Sequence, residues 1–393
     1  MRLWLATIPL LGATACVFDR SGLVADPAVE AAPPGDAAAD GATVDGEAFG
    51  DGVDDITRLD GKPGAWTHRK RVTVDAKMVK GQLLQDFPLL LVVKGDAELA
   101  AGARPDGRDL SFCSIDGSQR YPHETEVYDG KSGALVAWVR LPELSPTAGA
   151  ELHLYYGNPS PPSLPQVSQV WSSGYSGVWH LTGTMVRDSS ASKHAATVTG
   201  TVTEAPGVFG SGRQFDAKPT SWIALGDGPL QSNAPFTLEL WFRPEKAQSS
   251  WIGMVTKGRS ANQEWVGLYL KPDKLLSVGW SWKAPGNGNM DSKSTKPAPG
   301  AWHHAAAIFD GTLARLYYNG VQDGNSPKSQ GYNKLDGPLT LGTDRFDGNP
   351  SLDGVIDEVR LSTVVRSAGW LATQYANQSD PAAYITVGKQ EAL

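Results

Sequence analysis

Cysteine is almost missing from this chain. Among 393 residues only Cys16 and Cys113 occur, which excludes a disulfide-stapled scaffold and leaves stability to a hydrophobic core or a metal. Basic clusters interleaved with aromatics are absent too, and the formal net charge is -7, so no nucleic-acid partner held by phosphate neutralisation is expected. Beyond the first residues no apolar run is long enough to span a bilayer. The sequence also lacks a nucleophile elbow, a phosphate-binding loop and a Ser-His-Asp order, and "GNGNMD" is turn chemistry rather than a dinucleotide fingerprint. What is present is 40% hydrophobic and 20% charged residues, enough to bury a large core in more than one folded unit.

The opening "MRLWLATIPLLGATAC" places Arg2 before an apolar run and then small residues, the layout of a secretory signal over residues 1–16. "ATAC", Ala13 to Cys16, resembles a bacterial lipobox with alanine in place of the commoner leucine. That resemblance implies export, with Cys16 as the lipidated mature N-terminus. Acyl chains at about 0.8 kcal/mol per buried CH2 then anchor the protein without a membrane-spanning helix. Val17, where a retention aspartate would stand, resembles lipoproteins sorted to an outer membrane or cell surface. Residues 17–62, rich in Ala, Gly, Asp and Pro, cannot bury enough apolar area to fold, and read as an acidic tether with a mean reach of about 35 Å. Cys113, in "LSFCSIDG", reads as a small buried apolar residue.

Residues 63–158 read as a compact β-rich unit: "HRKRVTVDA" alternates, "DFPLLLVVKG" is a buried-strand run, and Gly, Pro or Asp turns separate these from "ALVAWVRLPEL" and "AELHLYYGN". "WTHRKRVTVDA", "ARPDGRDLSF", "HETEVYDGKSGALVAWVRLPELS" and "LHLYYGN" together resemble a bacterial domain of unknown function that stands before laminin-G-like domains. The Pro-rich stretch 159–169 is a spacer. Residues 170–393 alternate short strand signals with Gly, Asn and Asp turns, the pattern of a sandwich. "RQFDAKPTSWIALGDG", "FTLELWFRP", "WHHAAAIFDGTLARLYYNG" and "DGVIDEVRLS" resemble the laminin-G/concanavalin A-like family. The fold class expected is therefore all-β, a small β-rich domain followed by a concanavalin A-like antiparallel β-sandwich, or jelly roll.

In "SLDGVIDEVRLS" the two-residue period of a strand puts Val355, Asp357, Val359 and Leu361 on one face and Ile356, Glu358 and Arg360 on the other. Asp357 and Glu358 then point apart and cannot flank a glycosidic bond. Glu358 and Arg360 read as a solvated pair. Asp357, a carboxylate among apolar residues, needs hydrogen bonds, a partner or a metal. The family resemblance implies a structural calcium ion there, with Asp357 as ligand and Asp188 and Asp216 as further candidates; backbone N-H groups at a sheet corner are the alternative. Glu124 and Glu126 share a face and read as a solvated strand edge, with calcium as the alternative.

Catalysis is not expected. Glucanases of this architecture carry a Glu-x-Asp-x-x-Glu set on one strand, whereas here Glu239 stands alone and Trp241 occupies the second place. His303 and His304 point opposite ways on a strand, with no third residue spaced for zinc. Alternation instead places Glu239 and Trp241, Trp265 and Tyr269, and Arg315 and Tyr317 outside the sandwich core. Rings beside hydrogen-bonding groups suit a sugar, whose apolar face stacks while its hydroxyls find partners. Trp280 and Trp282 read as core. The expectation is a binding or adhesion protein whose partner is a glycan or a cell-surface protein; a scaffold without specific ligand, or a glycoside hydrolase or lyase, are the alternatives.

Overall fold

The computed structural model describes residues 66–161, 167–228, 230, 234–258, 265–273, 275–281, 287–293, 297–325, 335, 337–343 and 349–393. The signal segment, the tether, Trp282 and residues 162–166 of the spacer lie outside the described residues. No described helix is long and apolar enough to cross a membrane.

Four antiparallel sheets form among the described residues. The first holds five strands, with Ile385–Ala392 at one edge beside His68–Val74, then Ala150–Tyr156, Ser111–Ser114 and Arg120–Tyr121. A three-stranded sheet of Leu84–Val93, Ala134–Leu144 and His123–Asp129 packs against it, and the ring of Phe112 meets that of His123 edge to face. An eight-stranded sheet is built around Asp353–Ser362, Phe236–Pro244, His303–Phe309 and Ala314–Tyr318. A seven-stranded sheet centred on Ile252–Gly258, Trp265–Leu270 and Leu276–Ser281 closes the sandwich.

Leu238, Leu240 and Phe242 alternate into the sandwich core, where they meet Leu268, Ile356 and Leu361. A second core joins residues of both units: Phe87, Leu90 and Trp138 from the three-stranded sheet with Trp171, Trp241, Ala306 and Val355. Burial of each such side chain stabilises by about 1.5–3 kcal/mol, so this shared core helps to hold the two units together.

The chain end corrects the linear partition. Residues 170–393 do not all belong to the sandwich, because Ile385–Ala392 pairs along the whole of His68–Val74. A helix, Ala368–Ser379, precedes that strand and was not visible in the strand pattern. Ser367 caps it by accepting from the Trp370 N-H, and its Trp370, Leu371, Gln374, Asn377 and Gln378 are buried at spacings of three and four residues. The helix is a wedge between the units. Asn377 donates to and accepts from the backbone of Leu90, satisfying the open edge of a strand whose Pro88 marks it as an edge strand.

Asp353–Ser362 does not keep a strict two-residue period. Glu358 has φ 50°, a left-handed conformation, and the pairing with Phe236–Pro244 shifts between Glu239 and Trp241. Glu239 faces Arg360 and Trp241 faces Asp357, so one extra residue is accommodated at this bulge. Ile356, Val359 and Leu361 consequently enter the sandwich core, while Val355 belongs to the other one. Glu358 and Arg360 are 2% and 1% exposed, not solvated, because the first unit covers them.

Candidate functional site

The two sheets of the sandwich each turn one face away from the common core. On the eight-stranded sheet that face carries Glu239, Trp241, Tyr317 and Arg315, and it is closed over all but Arg315, which stays partly exposed. Trp241 is 3% exposed, stacks on Tyr375 of the helix at 5.7 Å and donates its indole N-H to Gln378 at 2.6 Å. Glu239 is buried as well, accepting from Gln374 and lying 3.4 Å from the His304 Nε2. Tyr317 is buried and its hydroxyl donates to Gln322, while Arg315 donates to Asp310 at 2.7 Å. None of the four forms an open sugar platform with the others, a correction whose cause is the helix and the first unit lying over this sheet. His303 and His304 do turn apart: His303 meets the Ala298 carbonyl and the Tyr318 hydroxyl, His304 meets Glu239.

On the corresponding face of the seven-stranded sheet Trp265 stays partly exposed, whereas Tyr269, expected to be open, is 3% exposed because Trp265 and Trp251 pack on it. Register sets Tyr269 opposite Ser277 and then Asp291, and Gly267 opposite Gly279 and then Asn289. A Cβ on Gly279 would lie 2.3 Å from the Trp265 ring, and one on Gly267 2.8 Å from the Tyr269 ring. The Trp265 ring therefore passes over Gly279 and the Tyr269 ring over Gly267, positions that a side chain would block. Tyr269 is flanked edge to face by Trp265 at 5.4 Å and by Trp251 at 6.0 Å, both partly exposed. The Lys271 ammonium stands 5.1 Å over the Trp251 ring and is held by Asp291 and Asp273. Asn289, exposed, donates to Asp291 at 3.1 Å. Among the described strand residues of this face Asp291 is the only carboxylate. The side chain of Trp280 lies outside what the structure describes.

The expected calcium ligands do not gather. Asp357 Oδ2 accepts from the backbone N-H groups of Val208 and Phe209 at 2.8 and 3.4 Å, and its Oδ1 from Glu358 N-H at 2.9 Å. An oxygen so supplied with donors is poorly placed to bind a cation, and burial beside Glu358 and Glu126 raises this carboxyl well above the usual range. Asp188 anchors the N-H groups of Val178, Ser190 and His194. Asp216 pairs with Lys218 at 2.8 Å. Cys113 is 1% exposed, as expected for a packing residue, and burial pushes its thiol up to about 11.

One cluster went unrecognised in sequence. Glu126, His180 and Glu358 bring ligand atoms within 4.8 Å of one another, among the described residues the only such set of three. Each carboxylate already receives donors: Glu126 from Trp138 at 2.9 Å and Thr182 at 2.7 Å, Glu358 from Arg360 and His180, and neighbouring Glu124 from Trp171 at 2.7 Å and Ser189 at 2.6 Å. Glu124 and Glu126 are thus not a solvated edge. The set is built for protons rather than a metal ion. The sequence signal was a pair of same-face glutamates on a strand at the edge of its sheet, but nothing local identified the opposing sheet.

Residues 216–372 match the profile of a laminin-G-type domain of the concanavalin A-like lectin/glucanases superfamily. Residues 106–177 match a domain of unknown function, DUF2341. The chain thus carries a DUF2341 domain followed by a concanavalin A-like domain. No curated protein matches it. Domain 4 of an extracellular arabinanase from Geobacillus stearothermophilus, solved with arabinotriose, is 22% identical and covers 51% of this chain and 98% of its own, with TM-score 0.45. The binding domain of paraclostridial mosquitocidal protein 1 is 14% identical, covering 51% of this chain and 52% of its own, with TM-score 0.43. The botulinum neurotoxin serotype D ligand-binding domain, solved with N-acetylneuraminic acid, is 11% identical, covering 52% and 51%, with TM-score 0.44. This chain spans about half the length of both toxin domains.

Proposed function

We propose that the chain is an exported, lipid-anchored binding protein of a bacterial envelope, and that the outer face of its seven-stranded sheet binds a carbohydrate. The observation that supports this reading is the partly exposed Trp265 ring, packed over Gly279 within an aromatic cluster. Trp265 is set by Gly279 beneath it and by Tyr269 beside it, so its indole pays little conformational entropy on stacking against a sugar. Asn289 and Asp291 lie on the same face, both two strands away, and supply a donor and an acceptor for hydroxyls. A single carboxylate among the described strand residues of the face favours binding over hydrolysis, which uses two. Lipid on Cys16 would hold the folded part to the membrane through the tether.

A Cys16→Ser protein, soluble but otherwise whole, is the reagent for a broad glycan array. A hit is expected, and Trp265→Ala should weaken it about two- to tenfold while the melting temperature stays within a few degrees, since one stacked ring contributes about 0.5–1.5 kcal/mol. Repeating the array with chelator tests calcium dependence. An array without hits from a folded protein, or a hit indifferent to Trp265→Ala, removes the carbohydrate assignment of this face.

A further inference from the structure

The unit of unknown function still lacks a role. Its three-stranded sheet presents Glu124, Glu126 and Trp138 to the sandwich, and Trp171 follows just after the spacer. The sandwich answers with Glu358 and Arg360 from Asp353–Ser362 and with His180, the residue after Tyr175–Trp179. His180 is 6% exposed and sits among three carboxylates. Its Nδ1 is 2.8 Å from Glu358 Oε1 and 3.6 Å from Glu126 Oε2, and its Nε2 is 3.2 Å from Glu124 Oε2. Carboxylates only accept, so the ring donates from both nitrogens and carries a positive charge. Trp138 stacks on it at 5.7 Å, with Trp171 at 5.5 Å. The Arg360 guanidinium lies 4.2 Å from the Trp138 centroid and 5.1 Å from that of Trp171.

We propose that the His180 imidazolium, gripped by glutamates from both units, locks the first unit onto the sandwich, and that the first unit serves as a rigid base for the binding face. The order of layers gives the base its purpose. His68–Val74, which follows the tether, lies in the five-stranded sheet, and the Trp265 face is the outer side of the seven-stranded sheet at the other extreme. A rigid connection between them turns that face away from the anchored end.

The charges around the lock balance. His180 and Arg360 oppose Glu124 and Glu358, while burial and neighbouring negative charge favour the neutral forms of Glu126 and Asp357. Thr182, Ser189, Trp138 and Trp171 contribute only neutral donors. Removing the imidazolium leaves buried glutamates uncompensated, a severe defect in a low-dielectric interface. An Arg or Lys placed on the surface would have no such effect.

The test uses the full chain with spin labels at Lys131→Cys in the first unit and Thr312→Cys in the sandwich, both exposed, Cys113 being buried. The expected distance distribution is single and narrow, nitrogen NMR shifts of His180 show both nitrogens protonated at pH 7.5, and unfolding is one transition. His180→Gln should broaden the distribution and lower or split the transition by about 5–15 °C. His180→Lys, which keeps the charge, should recover part of the loss. If His180→Gln fails to fold, Glu124→Gln is measured instead and should give a smaller shift in the same direction. A neutral imidazole at pH 7.5, a broad distribution in the unaltered chain, a silent His180→Gln, or zinc moving both nitrogen signals and raising the melting temperature each overturns the proposal.

Discussion

Trp241 and Trp265 occupy matching positions on the two sheets of the sandwich, each on a strand whose alternate residues fill the common core. Trp241 is 3% exposed beneath a helix, and Trp265 remains partly open on a floor of glycine. Strand periodicity gives both rings the same assignment, outward from the core. What separates a structural tryptophan from a recognition tryptophan here is the layer laid over the sheet, and that layer comes from chain more than a hundred residues away in sequence.

The comparison breaks most sharply under mutation of the covered ring. Trp241→Ala should cost about 3–5 kcal/mol, because it opens a cavity and leaves Gln378 without its indole donor, whereas Trp265→Ala leaves stability nearly unchanged. Chemical denaturation measures both. Equal losses would mean that the seven-stranded face is also covered, and equal silence would mean that the helix does not seal the other.

The contrast also shows how far sequence reasoning reached. The sandwich was legible because short strands with Gly and Asn turns recur, and Leu238, Leu240 and Phe242 do point inward as alternation requires. Cys113 and the divergent histidines were legible for the same local reasons. Asp357 was recognised as a buried carboxylate, and the hydrogen-bonded alternative is the one the structure realises. Lost were features that depend on what arrives from elsewhere. The bulge at Glu358 inverted the face assignment downstream of it, the helix Ala368–Ser379 closed a face that looked open, and Ile385–Ala392 returned to complete the first sheet. His180 has no sequence neighbour to mark it, since all its carboxylates lie at least fifty residues away.

A smaller effect separates the buried polar interface from the open face by pH. Burial and the charge of Glu358 push Glu126 up to about 7 from an ordinary 4.5. For a carboxyl raised in the folded state, the stabilising contribution is complete below the unfolded value of about 4.5 and is lost as pH rises through about 7. His180, whose three glutamates outweigh burial and hold its pKa well above the ordinary 6.5, acts in the same direction at higher pH. The melting temperature should therefore fall as pH rises from about 4.5, and Glu126→Gln should flatten the part of that fall between about 4.5 and 7 while leaving glycan binding by the distant face unchanged. A melting temperature that rises across this window would contradict the environment assigned to Glu126.

The finest distinction lies in the glycine floor. Gly279→Ala would place a methyl group 2.3 Å from the Trp265 ring, closer than packed atoms allow, so the indole must swing off the sheet. The atoms struck are the far end of a side chain that is partly exposed, and the ring can move at little cost to the fold. Stability should change by less than about 1 kcal/mol, while affinity for the array ligand falls several-fold because the ring no longer holds its position over Gly279. Titration of the ligand against Gly279→Ala therefore separates a pre-set platform from a merely available one: undiminished affinity would mean that Trp265 binds by adjusting to the sugar, and the glycine floor would then serve only sheet packing.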